Sequence, residues 1–243
     1  MGQYFMVVNY DKREYFELPM SKMMETAWRH NTSANFLINL LKGRWAGDRV
    51  AYQGDYSWLM PAELLEEMKE KDPDKSPYHF IDNNFKEVFY SCFTLRENKS
   101  KTTRLPWDID DKSWEKIKRR VEKAYRGYCV LFEDSKIYLD FEAYYKKEEE
   151  RRKDIPECDS GWIENPLNIL IATPDGGGGG DYRGFNSEQV VGMFYGERIR
   201  VVKRGDSCLE DCSPLHEHLI IDENYNPPPS FEGEIEDEIE VVA

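Results

Sequence analysis

GRWAGDRVAYQGDY, residues 43–56, returns in diverged form as GMFYGERIRVVKRGDS, residues 192–207. Both read glycine, one residue, an aromatic, one residue, glycine, acid, arginine, a β-branched residue and then Gly-Asp. The second carries two extra residues before Gly205-Asp206. Downstream, YHFIDNNF (78–85) is echoed by HLIIDENY (218–225), and upstream GQYFMVVNYDKREYFE (2–17) parallels GYCVLFEDSKIYLDFE (127–142). Three matched segments in one order argue for a tandem duplication, and such self-similarity sets how every single element is read.

Each copy opens with short aromatic and β-branched runs, QYFMVVN and YCVLFED. Asn9-Tyr10-Asp11 and Asp134-Ser135 interrupt them with turn chemistry, which predicts a β-hairpin in each copy. DRVAYQGDY and ERIRVVKRGDS read as further strands that their Gly-Asp pairs end in a turn. In NTSANFLINLLKG, one of Asn31, Thr32 and Ser33 caps a helix that buries Phe36, Leu37, Leu40 and Leu41. PAELLEEMKEK is a helix with Pro61 in its first turn. In DNNFKEVFYSCFTL, Phe85, Val88, Phe89, Cys92 and Phe93 follow helical spacing, so a helix capped near Asp82 is expected, with a strand as the alternative. DIDDKSWEKIKRRVEKAYRGY places Trp114, Ile117, Val121 and Tyr125 on one helical face, with acids at its start and Gly127 to stop it. FEAYYKKEEERRKDIPECDSG reads as an exposed charged helix broken at Pro156.

The fold class expected is α+β: two diverged tandem α+β repeats, each a β-hairpin, helix, strand and helix, packed pseudo-symmetrically. The expected boundaries are 1–105 for the first repeat, 106–126 for a connecting amphipathic helix, 127–225 for the second repeat with its insertions, and 226–243 for an acidic, proline-rich tail expected to be disordered.

With 243 residues, 40% hydrophobic and 14% aromatic, the chain can bury a sizeable core. Its net charge of -14 repels phosphate backbones, so nonspecific nucleic-acid binding is not expected, whereas a basic protein partner is compatible with it. The tail alone holds six acids after Phe231. No apolar run approaches the ~20 residues of a membrane span, and no signal-peptide pattern opens the chain. Met6 stands where a myristoylation motif wants Ser or Thr. Five cysteines, at 92, 129, 158, 208 and 212, are an odd, scattered set that fits reduced thiols in the cytoplasm.

The opening MGQYFMVVNYDKREYF together with GRWAGDRVAYQGDY resembles an uncharacterised family of bacterial, phage and eukaryotic proteins. Its members begin with a Gly-Gln-Tyr-Tyr-like strand and a Lys-Glu-Tyr step, then carry Trp-x-Gly-Asp-Arg-hydrophobic and Gly-Asp-Tyr. Many have a glycine-rich segment before that motif, similar to DGGGGGDYRG (175–184) in the second copy. The resemblance implies no catalytic residues. The second copy departs from it at Phe194 for Trp, Glu197 for Asp and Ser207 for Tyr.

Asp48, Arg49 and Asp55 recur as Glu197, Arg198 and Asp206. Adjacent strand positions face opposite sides, so acid and arginine of one motif are not expected to pair with each other. The arginine can instead grip a carboxylate with both nitrogens, for example that of the later Gly-Asp. Two uses follow: an ion-pair staple that fixes the strand, or a grip on a polar ligand. The five-glycine run lacks the Lys-Ser/Thr of a phosphate loop, and one copy cannot stack into a calcium-binding β-roll, so it reads as a loop. CLEDCSPLHEH (208–218) brings Cys208, Cys212, His216 and His218 into zinc-ligand spacing. Pro214 and the tightness of a single loop weigh against a metal, and the first copy offers only His79 in reply. If zinc binds there, it staples a loop. No catalytic signature for a serine, cysteine or metal hydrolase is present.

These readings lead to a non-enzymatic, acidic binding or interaction protein with no cofactor expected and zinc as the one candidate. The alternative is a small-ligand-binding protein or enzyme with Asp48, Arg49 and Asp55 at the repeat junction, with or without a metal.

Overall fold

The computed structural model describes residues 3–17, 22–23, 29, 32–88, 111–153, 165–175 and 190–219. The chain opens with the hairpin β1 (Phe5–Asn9) and β2 (Glu14–Glu17), followed by α1 (Thr32–Leu41) and β3 (Asp48–Gly54). Next come α2 (Ala62–Lys71), α3 (Pro77–Asn84), β4 (Lys86–Glu87) and α4 (Asp111–Tyr125). A second hairpin, β5 (Tyr128–Phe132) and β6 (Ile137–Asp140), leads to α5 (Phe141–Arg152), α6 (Pro166–Leu170), β7 (Arg198–Lys203) and β8 (Ser213–Pro214). The class is α+β.

The eight strands of the described residues join in one mixed sheet, in the order β4-β2-β1-β3-β7-β5-β6-β8. Within each half the pairings have the same senses: an antiparallel hairpin, an antiparallel third strand and a parallel outer strand. The register agrees too. Asn9 faces Val50 as Phe132 faces Ile199. Tyr15 faces Glu87 as Tyr138 faces Pro214. Arg13 and Lys136 close the two hairpin turns with φ of 51° and 55°, a left-handed backbone uncommon outside glycine. Matching the two openings on Gly2 and Gly127 sets Asn9 beside Asp134. The sheet instead gives Asn9 the place of Phe132 and Asp11 the place of Asp134, because turn and ladder set the register.

The halves meet at β3 and β7, where Asp48 faces Ile199 and Arg49 faces Arg198. Beyond those pairs β3 turns to another neighbour. Tyr52 donates its amide to Ile171 and accepts from Thr173, so the chain after α6 lies parallel to β3.

Strand alternation sends Phe5, Val7, Val50, Tyr52, Val130, Phe132, Ile199 and Val201 into the larger of two cores, which spans both halves. It receives Phe36, Leu37, Ile38 and Leu41 from α1, and Ile117, Val121 and Tyr125 from α4. Met6, Val8 and Ala51 point the other way, under Leu64 and Met68 of α2 and Phe80 and Ile81 of α3. Only the first half carries that second helical layer among the described residues.

Two expectations are corrected. The helix expected to begin near Asp82 starts earlier, at Pro77 with Ser76 as its cap residue, and stops at Asn84. Phe85 is extended and Lys86 donates its amide to Arg13, so the start of that apolar run serves the sheet edge. Phe89, Cys92 and Phe93 lie outside the described residues. The charged helix α5 is half-interior: Phe141, Tyr144, Tyr145, Glu148 and Arg152 are buried, at a spacing that keeps one face inward. Pro156, the glycine run after Asp175, the IIDENY segment and the tail fall outside the described residues.

Candidate functional site

Each acid–arginine motif enters the sheet beside the turn of its own hairpin. Gly47 and Gly196 precede the motifs with φ of 79° and 75°, a conformation glycine adopts at little cost. Arg49 donates its backbone N–H to Asp11 Oδ2 at 2.7 Å and its Nε to Asp11 Oδ1 at 2.8 Å. Its Nη2 also lies 2.6 Å from Glu63 Oε1 on α2. Arg198 treats Asp134 alike, with its N–H 3.0 Å from Oδ2 and its Nη1 2.9 Å from Oδ1. The acids take different partners. Asp48 accepts from Asn9 Nδ2 at 2.8 Å and pairs with Lys12, while Glu197 accepts from the amide and hydroxyl of Ser135.

The electrostatics follow from these contacts. Burial alone would raise the Asp11 carboxyl, but the Arg49 guanidinium and amide outweigh it and hold it below its ordinary range. Glu197 moves the other way, since burial raises it more than the Ser135 hydrogen bonds lower it. Arg49 is raised by its hydrogen bond to Asp11, with a smaller opposing effect of burial.

The tryptophan before the first motif has its own partner. Trp45 is fully buried, stacks on Phe16 and donates its indole N–H to Glu14 Oε2 at 2.8 Å, while Arg44 pairs with the other oxygen. In the second half the Phe194 ring has no N–H to donate and stacks on Phe132 with centroids 3.9 Å apart. Ile137 stands there in the register position of Glu14. The departure from tryptophan is therefore matched by loss of the acceptor.

The Gly-Asp turns lie at the far ends of β3 and β7, so Asp55 and Asp206 are not the partners of Arg49 and Arg198. Asp55 Oδ1 accepts from the Tyr4 N–H at 3.0 Å, and its own N–H returns a bond to the Tyr4 carbonyl at 2.9 Å. Asp206 caps the turn at Ser207–Leu209 by accepting from Cys208 N–H at 3.1 Å. The grip foreseen between arginine and the later Gly-Asp is thus replaced by one with the hairpin aspartates. An aspartate in each predicted turn was the available signal; which arginine it meets is a tertiary fact.

A polar group links the halves behind β3. The Tyr10 hydroxyl donates to Gln53 Oε1 at 2.7 Å and lies 3.0 Å from the Tyr195 hydroxyl. Burial first, opposed only in part by the bond to Tyr10, pushes Tyr195 up to about 12.

CLEDCSPLHEH folds as two short turns around β8. Cys212 Sγ lies 3.2 Å from the Cys208 carbonyl, and Cys208 is exposed. His216 packs on Tyr138 with centroids 5.7 Å apart, and its Nδ1 lies 3.4 Å from the Asp140 N–H. His218 is exposed. No group of three or more His, Cys, Asp and Glu placed to hold a metal ion occurs among the described residues.

Among the described residues no helix is long and apolar enough to cross a membrane. Among the described residues, the exposed large hydrophobic side chains are Tyr4, Tyr56, Trp58, Leu59 and Met193, most of them at the Gly54-Asp55 turn. Comparison with protein-family models, curated proteins and solved structures finds no match to this chain.

Proposed function

We propose that this chain is an acidic binding and interaction protein, built from two diverged copies of one α+β unit related by a pseudo-two-fold axis between β3 and β7. The matching register of the two half-sheets supports the duplication: corresponding hairpin, third and outer strands pair in the same way. Departures from sequence identity fall where a partner changes with them, as at Trp45 with Glu14 and Phe194 with Ile137.

The observation that carries the interaction reading is the use of the acid–arginine motifs. Asp48, Arg49, Glu197 and Arg198 spend their polar ends on the hairpins of their own halves, with Arg49 also reaching Glu63 of α2, which is the work of a staple. A ligand grip at the junction would need Asp55 to converge with Arg49, and the two occupy opposite ends of β3. Aromatic side chains stand exposed at the Gly54-Asp55 turn instead, the residue type enriched at protein contact sites. Net charge of -14 adds a preference for a basic partner.

Affinity capture tests this reading, using the full chain beside one cut after Tyr225. A defined basic protein recovered stoichiometrically with either form supports it. A small metabolite that co-purifies at one equivalent, with no protein partner, would replace it by ligand binding.

A further inference from the structure

We infer that the exposed side chains around the Gly54-Asp55-Tyr56 turn form a docking surface for a cationic, Lys/Arg-rich segment of a partner protein; this step rests on the interaction reading above. Tyr4, Tyr56, Trp58 and Leu59 are 47%, 41%, 60% and 38% exposed. They come from two segments that bind each other through the reciprocal Tyr4–Asp55 hydrogen bonds, so they share one end of the sheet.

The surface has a fixed frame. Trp58 donates its N–H to Asp175 Oδ2 at 2.9 Å, and the fully buried Ser57 donates its hydroxyl to the same carboxylate. Gly54 lies under Gln3, whose side-chain end occupies the space a Cβ would fill. The aromatic rings are thus carried by a clamped turn, which keeps the entropic cost of ordering them low on binding.

Charge names the occupant. From Val50 to Met68 the chain has no lysine or arginine; Glu63 and Glu67 in that stretch are taken up by Arg49, Arg13 and Lys71, which leaves Asp55 as the carboxylate of the turn itself. Asp175 adds a carboxylate directly against Trp58. An ionised carboxylate offers about four acceptor sites, and the described bonds use one on Asp55 and two on Asp175. Tyrosine and tryptophan faces are negative and attract ammonium and guanidinium groups. An aromatic surface flanked by the Asp55 and Asp175 carboxylates therefore favours a cationic peptide over an acidic peptide or nucleic acid.

The test is fluorescence anisotropy of a dye-labelled Arg/Lys decapeptide against the full chain at about 0.15 M salt, where charges beyond about 8 Å are screened, with a Glu decapeptide as control. Trp58→Ala and Trp58→Lys change an exposed side chain, and circular dichroism checks that both remain folded. Expected is a Kd weakened roughly five- to tenfold by Trp58→Ala and further by Trp58→Lys, with the Glu peptide silent. A full-length variant with Glu232, Glu234, Glu236, Asp237, Glu238 and Glu240 neutralised should keep its affinity within about twofold. Loss of binding in that variant, with Trp58→Ala unchanged, overturns the surface and leaves a tail-mediated interaction standing. A dimer that Trp58→Ala converts to monomer also overturns it, since a second copy then covers the rings. Absence of any cationic-peptide binding overturns both this surface and the basic-partner preference.

Discussion

Arg49 and Arg198 face each other across the β3–β7 ladder, and each is held by the aspartate of its own hairpin turn. Like charges directly opposite in a sheet repel, so Asp11 and Asp134 make the junction tolerable as well as anchoring the turns.

Asp11→Asn should cost about 1–2 kcal/mol in urea unfolding at neutral pH, since it weakens a charge-assisted grip and leaves Arg49 less neutralised. Asp134→Asn should cost roughly 0–1 kcal/mol, because that pair is 56% and 45% exposed and solvent screens it. Asp11 titrates below its ordinary range in the fold, so its contribution is full above about pH 4 and is lost as pH falls through the folded value. Equal costs for the two variants at neutral pH would refute this ranking.

Gly54→Ala and Gly192→Ala fail for different reasons. A Cβ on Gly54 would sit 1.9 Å from Gln3 Nε2, so the buried Gln3 side chain has to shift to admit it. The expected loss is about 1–3 kcal/mol, and adding Gln3→Ala should bring the double variant below the sum of the singles. On Gly192, at φ 73°, the Cβ would meet the Ala172 carbonyl at 2.7 Å. No side-chain truncation removes that obstacle, so trimming Gln3 should rescue only Gly54→Ala in thermal melts.

Burial lowers His216 from its ordinary imidazole value. The unfolded chain then takes up a proton near pH 6.5 while the folded chain resists it. The contribution of the neutral ring is full above about pH 6.5 and is lost as pH falls through the lower folded value. Unfolding free energy should therefore fall from about pH 7 to 5, and His216→Gln should flatten that slope. An unchanged slope in the variant would remove His216 as its source.

The described thiols should separate by accessibility. Burial, with Asp140 nearby, pushes Cys129 up to about 12, whereas Cys208 is exposed. Peptide mapping after brief alkylation should show Cys208 modified well before Cys129. Elemental analysis with and without chelator should find well under one equivalent of zinc and an unchanged melting temperature. Stoichiometric zinc whose loss lowers the melting temperature would reinstate Cys208, Cys212, His216 and His218 as a ligand set.

Hairpins, the third strand of each half and the helices α1, α2 and α4 were legible because period and turn chemistry agree locally. The end of α3 was not: Phe85 and Val88 satisfy helical spacing and strand propensity alike, and the amide bond from Lys86 to Arg13 settled it from far away in sequence. The inward face of α5 was written at Phe141, Tyr144, Tyr145, Glu148 and Arg152, but Glu148 and Arg152 look like surface residues until their burial is seen. Of the candidate site, the acids and arginines were visible as repeated letters. Their partners were not, since Asp11 and Arg49 meet only when a hairpin folds against β3. Exposure of Trp58 has no sequence signature, because a tryptophan reads as core by default.

At the outer side of the second hairpin the described sheet ends in β8, a strand of two residues whose second is Pro214. A proline supplies no amide hydrogen, so a newcomer strand would find almost no ladder to extend there. Among the described residues that margin is poorly suited to templated stacking into fibrils or to recognition by strand lending. A partner at the edge formed by Ser213 and Pro214 gains little from backbone pairing and is left with side-chain contacts.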